Sequence, residues 1–180
     1  TFSTYILASD IAAVDADGVC TSQTPSGAGN LTINGALASG GEATLVPARN
    51  VTVTSGGSSE TGKNFTITGT DVNGNAVSEE IAGPGSSATV STTKIFKVVT
   101  QVYVDAATAG AVTVGSGTTV SETIFAGRAR IRGIYFVNSG SAGPLDFVSG
   151  NNGDTVMKIQ TTGTAATADY PDIPDEGLLC

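Results

Sequence analysis

The stretch Phe65-Thr66-Ile67-Thr68-Gly69-Thr70-Asp71-Val72-Asn73-Gly74-Asn75-Ala76-Val77-Ser78-Glu79-Glu80-Ile81 decides the fold. Phe65 to Thr70 alternates apolar or small residues with threonine, the period of two that a strand with one buried face requires. Asp71 to Asn75 is a strong turn signal, and the chain returns as Ala76 to Ile81. A two-residue loop at Asn73-Gly74 sets Ile67 opposite Glu80. A three-residue loop, Asn73-Gly74-Asn75, sets Ile67 opposite Ile81 and Thr70 opposite Ser78, so matching the faces selects the longer turn. Beyond Gly83-Pro84-Gly85, Ile95 to Val104 puts Phe96, Val98, Val102 and Val104 on one face. Ile95, Lys97, Val99, Gln101 and Tyr103 take the other, as in the central strand of a sheet.

The same grammar extends outward more faintly. Toward the N-terminus, Ala43 to Val46 and Val51 to Thr54 read as two strands split by Pro47, preceded by a loop-rich approach from Cys20 to Gly41 that contains Leu31-Thr32-Ile33. Residues 1–17 carry Phe2, Tyr5, Ile6, Leu7, Ile11 and Val14 among small residues and read as an N-terminal arm, with an N-terminal strand of the same domain as the competing reading. A first domain, 18–117, closes at Ala111-Val112-Thr113-Val114 before Gly115-Ser116-Gly117. From Thr118 the pattern restarts. Ser121 to Phe125 and Ile131 to Asn138 are strands, Leu145 to Val148 and Thr155 to Ile159 form a hairpin, and Tyr170 to Gly177 is broken by prolines and acidic. No window sustains the i, i+3, i+4 apolar spacing of a helix. The expectation is an all-β chain of about eleven short strands in two small antiparallel β-sandwich domains, Ig-like or jelly-roll-like, the second covering 118–180.

Composition bounds what such a chain does. Its 180 residues hold one large or two small cores. Only 13% of residues are charged and 6% aromatic, while 39% are apolar and 24 are glycine, which suits short strands and many turns. The net charge of −8 opposes binding to a phosphate backbone, so nucleic acid is not an expected partner. With no histidine, triads and metal sites built on imidazole are excluded. Two isolated thiols, Cys20 and Cys180, make no metal site and fix no redox compartment. No apolar run reaches membrane-spanning length and no basic flank marks a secretion signal, so the expectation is a soluble protein without membrane partners.

Motifs that suggest chemistry fail on inspection. Gly57 to Lys63 fits a phosphate-binding loop through its lysine. Asn64 then replaces the magnesium-binding hydroxyl, and Phe65 to Thr68 is a strand where a helix is required. Asp71-Val72-Asn73-Gly74-Asn75 opens like a calcium loop, yet Ala76 and Ala82 stand where glycine and glutamate are needed. Asn30-Leu31-Thr32, Asn50-Val51-Thr52 and Asn64-Phe65-Thr66 match glycosylation triplets, which asparagine-ended turns before threonine-rich strands also generate. Glu79 and Glu80 are adjacent on a strand and point to opposite faces, out of reach of one scissile bond. The expectation is no enzyme activity, with no catalytic residues, cofactor or metal. Arg128, Arg130 and Arg132, at i, i+2 and i+4, project from one strand face. They suit fork-like pairing with carboxylates on a neighbouring subunit, or a solvated edge that discourages pairing.

Asp17-Gly18-Val19-Cys20-Thr21-Ser22-Gln23-Thr24-Pro25, Gly29 to Leu37, Phe65 to Ala76 and Phe96 to Val102 together resemble virion structural proteins of tailed bacteriophages. Arg130-Ile131-Arg132-Gly133-Ile134-Tyr135-Phe136-Val137-Asn138-Ser139-Gly140 is similar to the second module of the same proteins, which continue past Pro174-Asp175-Glu176-Gly177 into one more strand. The resemblance implies assembly rather than chemistry. The expectation is a capsid decoration, or cement, protein on the capsid exterior, a homo-oligomer that binds the major capsid protein or other virion proteins. Phe2, Tyr5 and Ile6, with Arg128, Arg130 and Arg132, are the candidate interface. The competing expectations are a tail or fibre component and a host-surface carbohydrate-binding module. For the last, a chain with no Trp and 4 Tyr offers few stacking platforms.

Overall fold

The structure, a computed structural model, describes residues 12–123, 130–134, 136–137, 142–150, 153–161, 168–169, 173 and 178–179. Among these the chain is all-β, and every strand pair is antiparallel. It divides into two compact units, residues 1–124 and 125–180.

The first unit is built from β1 (Cys20–Gln23), β2 (Gly29–Asn30), β3 (Ala38–Ser39), β4 (Glu42–Ser55), β5 (Asn64–Thr70), β6 (Ala76–Ala82), β7 (Thr89–Ser91), β8 (Phe96–Val104) and β9 (Val112–Ser121). Their main path runs β1-β9-β4-β8-β5-β6, with β2 on β8 and with β3 and β7 on β4. β4 is a single strand of 14 residues, not two strands split at Pro47. Proline lacks the N–H a ladder needs, and the chain accommodates it where the β4–β8 register shifts, between Thr44 and Arg49, so the strand passes from one set of partners to another. Ala43 and Thr44 pair with β8, whereas Val51 to Ser55 lie between β9 and β7. The buried core of this sandwich-like unit is Phe65, Phe96, Leu45, Ile67 and a set of valines from β4, β8 and β9, joined by Cys20 and Leu31.

The hairpin of β5 and β6 has the expected odd parity, with its turn one residue earlier. Thr70 faces Ala76, Ile67 faces Glu79 and Phe65 faces Ile81, and the bond from Asp71 N to Asn75 O closes the turn around Val72-Asn73-Gly74. The expected pairing of Ile67 with Ile81 is thus shifted by two residues, which leaves both faces unchanged. The Asp71 carboxylate causes the shift, because its Oδ1 accepts from the amides of Asn73 at 2.8 Å and Asn75 at 2.9 Å. That closes a turn one residue earlier than the Asn73 signal suggests.

β8 also departs from strict alternation. Phe96, Val99, Val102 and Val104 are buried and Val98 is only half-buried, because Thr68 faces Gln101 while Gly69 faces Val99. Thr100 is the extra residue of a bulge, and it exchanges Val98 for Val99 on the core face. Gly69 is required there, since a Cβ would stand 1.9 Å from the Val98 carbonyl oxygen. At the far edge, bonds from Asp71 N to Asn75 O and from Gly83 N to Lys63 O close the two ends of the β5–β6 ladder. In that register the main-chain groups of Ser78 face away from β5. Lys94 Nζ donates to Ser78 O at 2.7 Å, and Glu79 accepts from the Thr93 and Lys94 amides. The edge of β6 is therefore guarded at its midpoint, as exposed edges usually are. β9 continues through Gly115 and Gly117, where the sequence suggests the end of the first domain, to Ser121.

The second unit contains β10 (Arg130–Ile131), β11 (Phe136–Val137), β12 (Gly143–Val148), β13 (Thr155–Thr161), β14 (Ala168–Asp169) and β15 (Leu178–Leu179). β10 pairs with β15 and β11 with β14, while β12 and β13 form the expected hairpin. Leu145 faces Ile159 and Phe147 faces Met157, which gathers its apolar side chains on one face. The single strand expected over Ile131 to Asn138 is not formed: β10 and β11 are separate, and Gly133, a weak strand residue, stands between them.

Candidate functional site

Two polar constructions stand out in the first unit. The first holds the segment before β1. Pro47 to Val51 are five consecutive buried residues, because this part of β4 is covered on both faces. Arg49, 3% exposed, donates from Nη1 to Gly117 O at 3.3 Å and from Nη2 to Ala12 O. The ion pairs among the described residues are Lys63 with Glu60 and Lys158 with Asp146, so the buried guanidinium is met by main-chain carbonyls and not by a carboxylate. Its fork suits two separated oxygens. Asp15 completes the attachment, donating its amide to Ser116 Oγ at 2.9 Å and accepting from Ser116 N at 2.8 Å. A Cβ on residue 115 would lie 2.1 Å from Asp15 O and 2.4 Å from the Ala16 carbonyl carbon, so Gly115 is what lets this backbone settle onto β9. Beside it a shallow groove of about 300 Å³ runs between Val14 and Ala16 on one side and the hydroxyls of Thr52, Thr54, Thr89 and Ser91 on the other.

The second construction occupies the loop that resembles a phosphate-binding motif. Glu60 is fully buried, and its carboxylate accepts from Ala109 N and Gly110 N, each at 2.9 Å, and from Lys63 Nζ at 2.9 Å. Burial alone would push this carboxyl up. The bonds from Lys63, Ala109 and Gly110 and the nearby ammonium charge outweigh burial and hold it below its ordinary value. The lysine of the motif is thus consumed inside the protein. The calcium-like turn is filled in the same way, because Asp71 takes the Asn73 and Asn75 amides and the Asn75 side chain. No group of three or more metal-ligating side chains occurs among the described residues. Cys20 is a free thiol within the core, and burial pushes it up to about 12.

Of the candidate interface residues, Phe2, Tyr5, Ile6 and Arg128 lie outside the described residues. Arg130 is exposed on β10, and Arg132 is exposed just beyond that strand. Sequence reasoning missed Arg49 and Glu60. Arg49 has no sequence-local signal, since the groups it binds lie 37 to 68 residues away; Glu60 has a local partner in Lys63, but the two amides that complete its site lie 49 to 50 residues away. Comparison with protein-family models, curated proteins and solved structures returns no match to this chain.

Proposed function

We propose that this chain is a structural protein of a phage virion, a capsid decoration or cement protein seated on the outer face of the head shell against the major capsid protein. The observation that carries the reading is the attachment of residues 12–17. Arg49, Ser116 and Gly115 give the segment that precedes β1 a fixed root on the first unit. On this reading residues 1–11, Phe2, Tyr5 and Ile6 among them, are the part of the chain that binds the neighbouring protein. The acidic balance supports a position away from packaged DNA, and the sequence resemblance to tailed-phage virion proteins supports the setting. Staged disruption of virions tests the assignment: the chain is expected to leave with the head shell, and its release with isolated tails would refute it. Deleting residues 1–11 is expected to abolish binding to undecorated heads while leaving the circular dichroism spectrum unchanged.

A further inference from the structure

The outer face of β2, β8, β5 and β6 carries an acidic and aromatic surface, apart from the attachment of residues 12–17. Residues paired across antiparallel strands project to the same side, so Asn30, Tyr103, Thr66 and Glu80 form one row across four strands. Gln101, Thr68 and Ser78 form the next row. On the other side stand Asn64 and Asp105, tied by a bond from Asn64 N to Asp105 Oδ1 at 2.9 Å. Gln101 Nε2 donates to Asn30 Oδ1 at 2.8 Å, which fixes both amides beside the ring. Tyr103 is 37% exposed, and Glu80 and Asp105 are exposed. No lysine or arginine stands in these rows. A single exposed tyrosine is ordinary on a protein surface. A tyrosine flanked by two carboxylates, with the Lys94 ammonium already held by the Ser78 carbonyl at the β6 edge, is a receiver for a planar cation, which stacks on the ring and pairs with the acids.

The chain itself supplies such cations. Arg130 and Arg132 are exposed, and neither is in an ion pair among the described residues. Residues 12–123, by contrast, hold nine carboxylates against four cations, of which Arg49 is buried and Lys63 is paired with Glu60. We propose that the Tyr103 face of one copy receives Arg130 and Arg132 of a second copy, with a guanidinium on the tyrosine ring and Glu80 and Asp105 as its carboxylate partners. Because β6 is guarded at its edge by Lys94, the association runs through the sheet face and not by strand addition. The inference rests on the self-association expected for the proposed virion protein and is independent of where in the virion the chain sits.

A charge exchange on the full chain tests it by sedimentation velocity at low and high salt. Wild type is expected to self-associate with a dissociation constant of about 0.1 mM at low ionic strength, weakening several-fold as salt screens the pairs. The variant Glu80→Arg with Asp105→Arg, and separately Arg130→Glu with Arg132→Glu, are each expected to lose at least about tenfold in affinity. An equimolar mixture of the two variants restores complementarity at both surfaces and is expected to associate within about threefold of wild type. Tyr103→Ala weakens association and Tyr103→Leu does not restore it. Wild type that stays monomeric to about 1 mM would overturn the proposal, as would association that both charge variants leave intact or a mixture that stays dissociated. None of these results bears on whether the chain is released with heads or with tails, so the two readings fail separately.

Discussion

Glu60→Gln tests the buried network around the 56–63 loop directly. The carboxylate accepts three bonds of 2.9 Å, from Ala109 N, Gly110 N and Lys63 Nζ, and is fully buried. The amide keeps the shape but turns one acceptor into a donor, so it opposes one main-chain N–H and removes the charge that Lys63 faces. Losing one charge-assisted bond and leaving a buried amide donor badly placed costs about 2–3 kcal/mol. For a unit of this size each kcal/mol is worth about 4 °C, so the melting temperature is expected to fall by about 10 °C at neutral pH. The pH dependence carries its own sign. Glu60 titrates below its ordinary value of 4.5 in the folded chain. Its contribution is therefore fully present above pH 4.5 and is lost as pH falls through the folded value, where the folded state must take up the proton that the unfolded state already holds. Urea unfolding followed by circular dichroism from pH 7 to pH 3 is expected to show the gap between wild type and Glu60→Gln closing below about pH 4.5. A gap under about 0.5 kcal/mol at pH 7, or one that stays constant down to pH 3, would refute the reasoning.

Gly115→Ala is expected to lift residues 15–16 off β9, because the new Cβ would stand 2.1 Å from Asp15 O and 2.4 Å from the Ala16 carbonyl carbon, and that backbone must move to make room. Limited proteolysis should then cut within residues 12–17, and unchanged protection would count against the rooted arm. Gly69→Ala places a Cβ against the Val98 carbonyl at the bulge and is expected to cost about 2–4 kcal/mol in urea unfolding, whereas Gly62→Ala, with nothing near its Cβ, serves as a neutral control. Cys20, studied in a Cys180→Ser background, is expected to resist Ellman's reagent at pH 8 at a rate set by unfolding. Its folded value near 12, above the ordinary 9.0, means that stability present below pH 9 declines as pH rises from 9 toward 12. Fast modification of folded protein at pH 8 would contradict its burial.

What was legible in the sequence was what depends on neighbours in the chain. Alternation over Phe65 to Thr70 and the Asp71 to Asn75 turn identified the hairpin and its faces, because strand parity is a local property. The turn position was not legible: Asn73-Gly74 is the stronger local signal, but the Asp71 carboxylate overrides it by capping two amides. Reading β8 as one uninterrupted alternation misplaced Val98 and Val99, since a bulge is set by its partner strand and the partner's glycine lies about thirty residues away at Gly69. Pro47 read as a break because its missing N–H is local, whereas the change of partners that tolerates it is not. The candidate sites divide the same way. The arginine spacing was visible, and the row that gathers Asn30, Tyr103, Thr66 and Glu80 exists only after four distant segments pair.

The shared strand β4 also governs how the molecule comes into being. Its 14 residues draw partners from before residue 40 and after residue 110, and β9, which completes its pairing, ends at Ser121. During synthesis nearly the whole first unit must leave the ribosome before the central strand gains its last neighbour. High contact order of this kind gives folding in milliseconds to seconds rather than microseconds. The emerging polypeptide is thus exposed to mispairing until that final ribbon arrives, and then commits in one cooperative step.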